Sequence, residues 1–203
     1  MAPTDASAAW ASAPPAPVYR QNVPVATQPT SYRVRTAQSD DLLALLRVHA
    51  QADQYGRIPS AASDLERQTW ERMMRTADLT VYLAEINGEA VGTATVMTLP
   101  NVTYGCAPTA FVEAVVVAYD HRRRGVATAI MARLLDDARS TGCNKVQLLS
   151  HKRHVSDGAY SLYTALGFEP EAEGFRLYLQ DVPAAVRAGT DRSPRDDRQR
   201  PSP

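Results

Sequence analysis

One turn constrains this chain more than any other feature. Residues 115–135 read VVVAYDHRRRGVATAIMARLL: an apolar strand, the turn residues Arg122, Arg123, Arg124 and Gly125, then a helix on which Val126, Ile130 and Leu134 recur every four residues. A helix start exposes N–H groups without intrahelical acceptors and carries about half a positive charge, so it draws anions. Glycine lets the backbone come close to such a guest, and arginine grips phosphate oxygens through paired donors. Gly125, Ala127, Thr128 and Ala129 keep bulk out of the approach. Three adjacent guanidinium groups repel one another. A phosphorylated ligand is one way to hold them together, and a solvated turn is the other. Dinucleotide folds need three spaced glycines after the first strand, and P-loops need Gly-Lys-Ser or Gly-Lys-Thr; the chain has neither.

The 203 residues suffice for one domain with a sizeable core. Lys plus Arg and Asp plus Glu both number 22, a formal net charge of +0, which argues against a general nucleic-acid binder and leaves the basic turn as a local anion site. Cys106 and Cys143 stand far apart, so no disulfide framework is expected. His151 and His154 lack an acidic or thiolate companion at ligand spacing, so no metal is expected. No apolar run approaches the roughly 20 residues that cross a bilayer. The first 20 residues lack the basic start and unbroken apolar stretch of a secretory signal, and the expected address is the cytoplasm.

Residues 1–30, rich in Ala, Pro, Ser and Thr, and residues 183–203, polar and proline-punctuated, read as disordered tails around a domain over 31–182. Within it, SYRVRTA is a predicted strand, and SDDLLALLRVHAQAD a helix with Ser39 or Asp40 as N-cap. SDLERQTWERMMRTA opens on a capping box, Ser63 with Glu66. LTVYLAEI and EAVGTATVMTL form a hairpin around Asn87-Gly88, a pair that tolerates the positive φ angles of a tight turn. TAFVEAVVVAY is a strand whose unbroken apolar end predicts cover on both faces. The helix from Gly125 ends at Gly142; KVQLLS is a short strand; a helix from near Ser156 ends at Gly167; GFRLYLQDV is the last strand. The order β-α-α-β-β-β-α-β-α-β predicts an α/β (α+β) domain, a mixed sheet with helices on both faces.

EAVVVAYDHRRRGVATAIMARLL resembles the core motif of the GNAT superfamily of N-acetyltransferases: Arg or Gln, two residues, Gly, one residue, then Gly or Ala, here Arg122, Gly125 and Ala127. SDGAYSLYTALGFEP resembles the family's final helix, a Tyr followed by a short spacer and Leu-Gly-Phe, here Tyr163 and residues 166–168. One helix and one strand separate the two motifs, as in the family, and the resemblance covers residues 31–182. It implies an acyl-CoA N-acyltransferase-like fold with a mostly antiparallel central sheet. It also implies acetyl transfer from acetyl-CoA, without a metal, to a primary amine of a small molecule, or of a peptide or protein at a lysine or N-terminus, in one ternary complex.

Carried over residue by residue, the backbone of Arg123, Arg124, Gly125, Val126, Ala127 and Thr128 would hold the pyrophosphate, with Arg122 beginning the turn. Val115, Val116 and Val117 would pair with the pantetheine arm, and an N–H near Val117 would face the thioester carbonyl. Tyr163 would protonate the departing thiolate. Ser156 stands where many members carry a pantetheine-binding Asn. Glu113 shares the parity of Val115 and Val117, which predicts one shared sheet face. It is read as general base, as a holder of the acceptor's ammonium, or as an arginine partner; His151 and Tyr119 are further base candidates. The acceptor would approach over HAQADQYGRIPSAAS, where Tyr55 and Arg57 offer contacts, and MTLPNVTYGCAP. A non-catalytic acyl-CoA sensing module of the same fold is the alternative, and an interaction protein dominated by its tails a third. A homodimer is expected; nucleic-acid and membrane partners are not.

Overall fold

The structure, a computed structural model, describes residues 32–52, 57–150, 158–175 and 177. The chain divides into a unit ending at Phe168 and a second unit from Glu169. In the second, the described residues carry neither helix nor strand. The strand expected over residues 174–182 is therefore not formed at Gly174, Phe175 or Leu177, and its other positions lie outside the described residues, as do both expected tails.

The first unit runs β1 (Arg33–Thr36), α1 (Leu42–Gln51), α2 (Asp64–Arg75), β2 (Leu79–Ile86), β3 (Glu89–Leu99), β4 (Thr109–Val117), α3 (Val126–Ser140), β5 (Lys145–Leu148) and α4 (Ala159–Ala165). The five strands make one sheet in the order β1-β2-β3-β4-β5. The first four are antiparallel neighbours; β4 and β5 are parallel, which requires a crossover, and α3 supplies it. The mixed, mostly antiparallel sheet expected from the element order is present.

Local chemistry explains the boundaries. Ser63 and Glu66 close the capping box of α2: the Ser63 N–H donates to Glu66 Oε2 at 2.6 Å, and the Glu66 N–H to Ser63 Oγ at 3.3 Å. Asn87 and Gly88 take φ of 52° and 81°, the two positive values a two-residue hairpin needs. The start of α1 departs from expectation. Residues Ser39–Asp41 form a 3-10 turn with Gln38 before it, and Asp41 rather than Ser39 or Asp40 is the N-cap of α1. Asp41 is held there by Arg35 and by the Gln38 N–H at 2.6 Å.

One sheet face packs on α3. Tyr82, Ala84, Ala94, Val96, Ala110 and Val112 meet Val126, Ile130, Met131 and Leu134 in a single buried cluster. Gly92 sits under this contact, and a Cβ there would lie 2.6 Å from Val126 Cγ1 and 2.9 Å from Ile130 Cδ1. Val81 and Leu83 alternate with Tyr82 and Ala84, so they face the other way, under α1 and α2 with their buried Val48 and Trp70. The Trp70 indole N–H donates to Ser39 O at 2.9 Å and ties α2 to the start of α1.

Candidate active site

The turn expected from the sequence closes β4 into α3. Its N-cap is Gly125, at φ 86°, a left-handed conformation that costs a residue with a Cβ roughly 1–2 kcal/mol. Among the described residues no side chain caps this helix start, and Val126 N–H onward point out of the first turn without intrahelical acceptors. Thr128, exposed, and Ala127, half-buried, flank the opening with small side chains.

The three arginines diverge. Arg123, at φ 60°, turns the chain so that successive side chains leave in different directions. Arg122 donates through Nε to Val117 O at 3.3 Å and through Nη2 to Ala52 O, and stacks 5.3 Å over the Tyr119 ring. The Arg123 guanidinium lies against Gly158, at the start of α4, closely enough that a Cβ there would collide with it. Arg124 is exposed and makes no hydrogen bond or ion pair among the described residues. Separation in space thus removes much of the like-charge repulsion that the sequence raised.

Beside the turn, β4 runs on past the end of β5 at Leu148. Their pairing runs only from Thr109 with Lys145 to Val112 with Leu148, so from Glu113 to Val117 the β4 edge away from β3 has no strand partner among the described residues. The Ala118 N–H donates to Val91 O at 2.9 Å, and Val116 stands opposite Thr93. By strand alternation, the N–H and C=O of Val117 then point away from β3. Arg122 uses one lone pair of that carbonyl and leaves the N–H alone.

The sequence reading missed a bulge. Thr93 pairs with Val116 but Thr95 with Glu113, so β4 carries one extra residue, and Ala114 takes φ 51°. This corrects the placement of Glu113. Ala110 and Val112 face α3 before the bulge, and Val115 and Val117 face it after, so Glu113 lies on the opposite sheet face, with Val116 and Phe111. Its carboxylate is exposed and makes no ion pair among the described residues, so the desolvation cost expected of a buried carboxylate does not arise. The residues carry no signal for the slip: Ala110, Phe111 and Val112 before it and Val115, Val116 and Val117 after it are all apolar, so either phase fits the pattern.

Tyr163 belongs to α4 and packs, half-buried, on the α3 side of the sheet, edge-on to Phe168 with 5.9 Å between ring centres. Tyr163 and Glu113 therefore stand on opposite faces, with the β4 edge in the sheet plane between them. The N-cap of α4 is Gly158. Ser156, His151, His154 and Tyr55 lie outside the described residues. Arg57 is exposed on the segment before α2. No group of three or more His, Cys, Asp or Glu among the described residues could hold a metal, and none of their helices is long and apolar enough to cross a membrane. Two surface depressions, one beside Arg47 and the Asn87-Gly88 tip and one at Asp137 and Tyr82, border neither the turn nor the open β4 edge.

Comparison with known proteins identifies the family and the fold. Residues 44–168 match the acetyltransferase (GNAT) family. Glucosamine 6-phosphate N-acetyltransferase of Trypanosoma brucei brucei is 33% identical over 99 residues, 49% of this chain and 64% of that protein, so the match spans a little under two thirds of the relative. A putative acetyltransferase from Agrobacterium tumefaciens superposes with a TM-score of 0.65 at 27% identity, over 72% of this chain and 99% of that one. An aminoglycoside N-acetyltransferase solved in complex with CoA shares the fold, with a TM-score of 0.59 at 21% identity over 78% and 100% of the two chains. A family match that runs from α1 to α4, more than half of the chain, makes the assignment: the chain belongs to the GNAT family of acetyltransferases.

Proposed function

We propose that this acetyltransferase moves the acetyl group of acetyl-CoA directly to a primary amine, carried by a small molecule or by a protein lysine or N-terminus. One observation carries the reading: among the described residues, the β4 edge beyond Val112 has no strand partner and ends at a helix start that no side chain caps. An extended amide chain with an anionic end fits such a place, its amides adding to the edge as a strand would along Val115, Val116 and Val117. Its pyrophosphate then meets the N–H groups of Arg123 to Thr128. When bound, acetyl-CoA supplies an acetyl thioester.

The Val117 N–H, turned away from β3, donates to the thioester oxygen as negative charge builds there. Glu113, on the face opposite α3 and without an ion pair among the described residues, takes the proton of the acceptor amine or holds its ammonium. Tyr163, on the other face, gives a proton to the thiolate, which at neutral pH accepts one readily because free thiols have a pKa near 8.5. An N–C bond forms as the C–S bond breaks; one proton leaves nitrogen and one arrives on sulfur. Neither Cys106 nor Cys143 lies on the open edge or in the turn, which fits a transfer without a covalent enzyme intermediate. The relatives named for N-acetylation of glucosamine 6-phosphate and of aminoglycosides support an amine acceptor.

Thiol release from acetyl-CoA across a panel of amines, with CoA calorimetry beside it, tests the reading. Tyr163→Phe is expected to lower kcat by about 10²-fold or more while CoA affinity stays within about twofold. Glu113→Gln is expected to lower kcat/KM for the amine and leave CoA affinity unchanged. CoA binding without thiol release from acetyl-CoA in the presence of any amine would instead identify a sensing module, and absence of CoA binding would retire both readings.

A further inference from the structure

We infer that Arg122 is a positioning residue that couples the cofactor turn to the acceptor side of the molecule, and that its side chain is not a phosphate ligand. This rests on the acetyltransferase reading above. The one guanidinium joins three pieces of chain: the Val117 carbonyl at the end of β4, the Ala52 carbonyl at the end of α1, and the Tyr119 ring in the 3-10 turn between β4 and the arginines.

Each contact has its own physical reason. The last carbonyls of an α-helix lack intrahelical donors and carry partial negative charge, which a cation stabilises. Ala52 is the C-cap of α1, and the donor that meets its carbonyl comes from 70 residues away rather than from the helix's own flank. The rigid planar fork of arginine serves this carbonyl and that of Val117 together, and its face rests on Tyr119; a lysine has one point of charge and no such plane. A guanidinium committed to two carbonyls and a ring is turned away from phosphate oxygens, whereas Arg124 makes no such commitment among the described residues.

The consequence is a mechanical link. Residues after Ala52 lead to the segment before α2, over which the acceptor is read to approach. Whatever fixes the backbone of the turn at Arg122 also fixes the end of α1. CoA bound at the turn therefore steadies the acceptor wall, through Arg122, before the amine arrives.

Hydrogen exchange of the full chain with and without CoA, together with calorimetry, tests the link in wild type, Arg122→Met and Arg122→Lys. In wild type, CoA is expected to slow exchange of the amides from Val48 to Ala52 several-fold. Arg122→Met is expected to abolish that slowing while binding CoA within about threefold of wild type, and Arg122→Lys to restore part of it. Arg124→Met, by contrast, is expected to weaken CoA and leave the slowing intact at saturation. A tenfold or greater loss of CoA affinity in Arg122→Met, made smaller by added salt, would make Arg122 a phosphate ligand and overturn the inference. Unchanged CoA-dependent slowing in Arg122→Met would overturn it too. Should Arg122→Met fail to fold, the same readings on Arg122→Lys decide. Wild type that binds no CoA would sink the acetyltransferase reading itself, an outcome visible before any variant is made.

Discussion

Two glycines near the turn do different work, and substitution separates them. Gly125 has open space where a Cβ would sit, but its φ of 86° penalises any side chain. Gly125→Ala is expected to cost about 1–2 kcal/mol. In a protein of this size that is roughly 2–8 °C in Tm, with CoA affinity reduced as the first turn of α3 shifts. Gly92 has no φ problem; a methyl group there meets Val126 and Ile130. Gly92→Ala is expected to cost about 1–3 kcal/mol by overpacking, because α3 must lift off the sheet. Pairing Gly92→Ala with Val126→Ala should recover part of the loss, whereas the same partner change should not help Gly125→Ala. Thermal melts of the four proteins check both statements, and recovery in the Gly125 pair would mean its cost is steric rather than conformational.

At the scale of the element, β4 depends on its bulge. Ala114 sits at φ 51°, where glycine is easier than alanine and a β-branched residue is worse. Ala114→Gly is expected to hold or raise stability by up to about 1 kcal/mol, and Ala114→Val to lower it by about 1–3 kcal/mol, both read by denaturant titration. Deleting Ala114 would be far more damaging, since it turns Val115, Val116 and Val117 through one register step and exchanges the faces they present. The same bulge marks the limit of what the residues disclosed. Asn87-Gly88, the Ser63–Glu66 box and the strand–Arg–Gly–helix turn were legible because each rests on local chemistry that a few side chains specify. The phase slip at Ala114 was not, because alanine has no preference for a left-handed backbone and strand pairing with β3 imposes it. The destinations of Arg122 and Arg123 were hidden for a related reason: Ala52 and Gly158 offer only backbone, and they come to the turn through the sheet.

Across the whole molecule, Arg35 fastens the sheet edge to the first helix. Its guanidinium on β1 reaches Asp41 at 2.5 Å, ahead of α1, and Glu85 on β2 at 2.5 Å. Hydrogen bonds from Arg35 hold the Asp41 carboxyl below its ordinary value of 3.8, against the opposing pull of burial, with the Gln38 N–H adding to the effect. The side chain of Asp41 is only 12% exposed, so solvent screens the pair weakly. A carboxyl that ionises more easily folded than unfolded stabilises the fold fully above its unfolded pKa, and the contribution is lost as pH falls through the folded value. Asp41→Asn cannot ionise, leaves Arg35 half-satisfied, and is expected to cost about 1.5–3 kcal/mol at pH 7. Its deficit in Tm relative to wild type should be constant from about pH 8 to 5, then shrink as the wild-type carboxylate takes up its proton below about pH 4. Melting both proteins at pH 7, 5 and 3 measures this. A deficit that stays the same at all three would place the contribution of Asp41 in shape and hydrogen bonding rather than charge, and the link between β1, β2 and α1 would then survive acid unaltered.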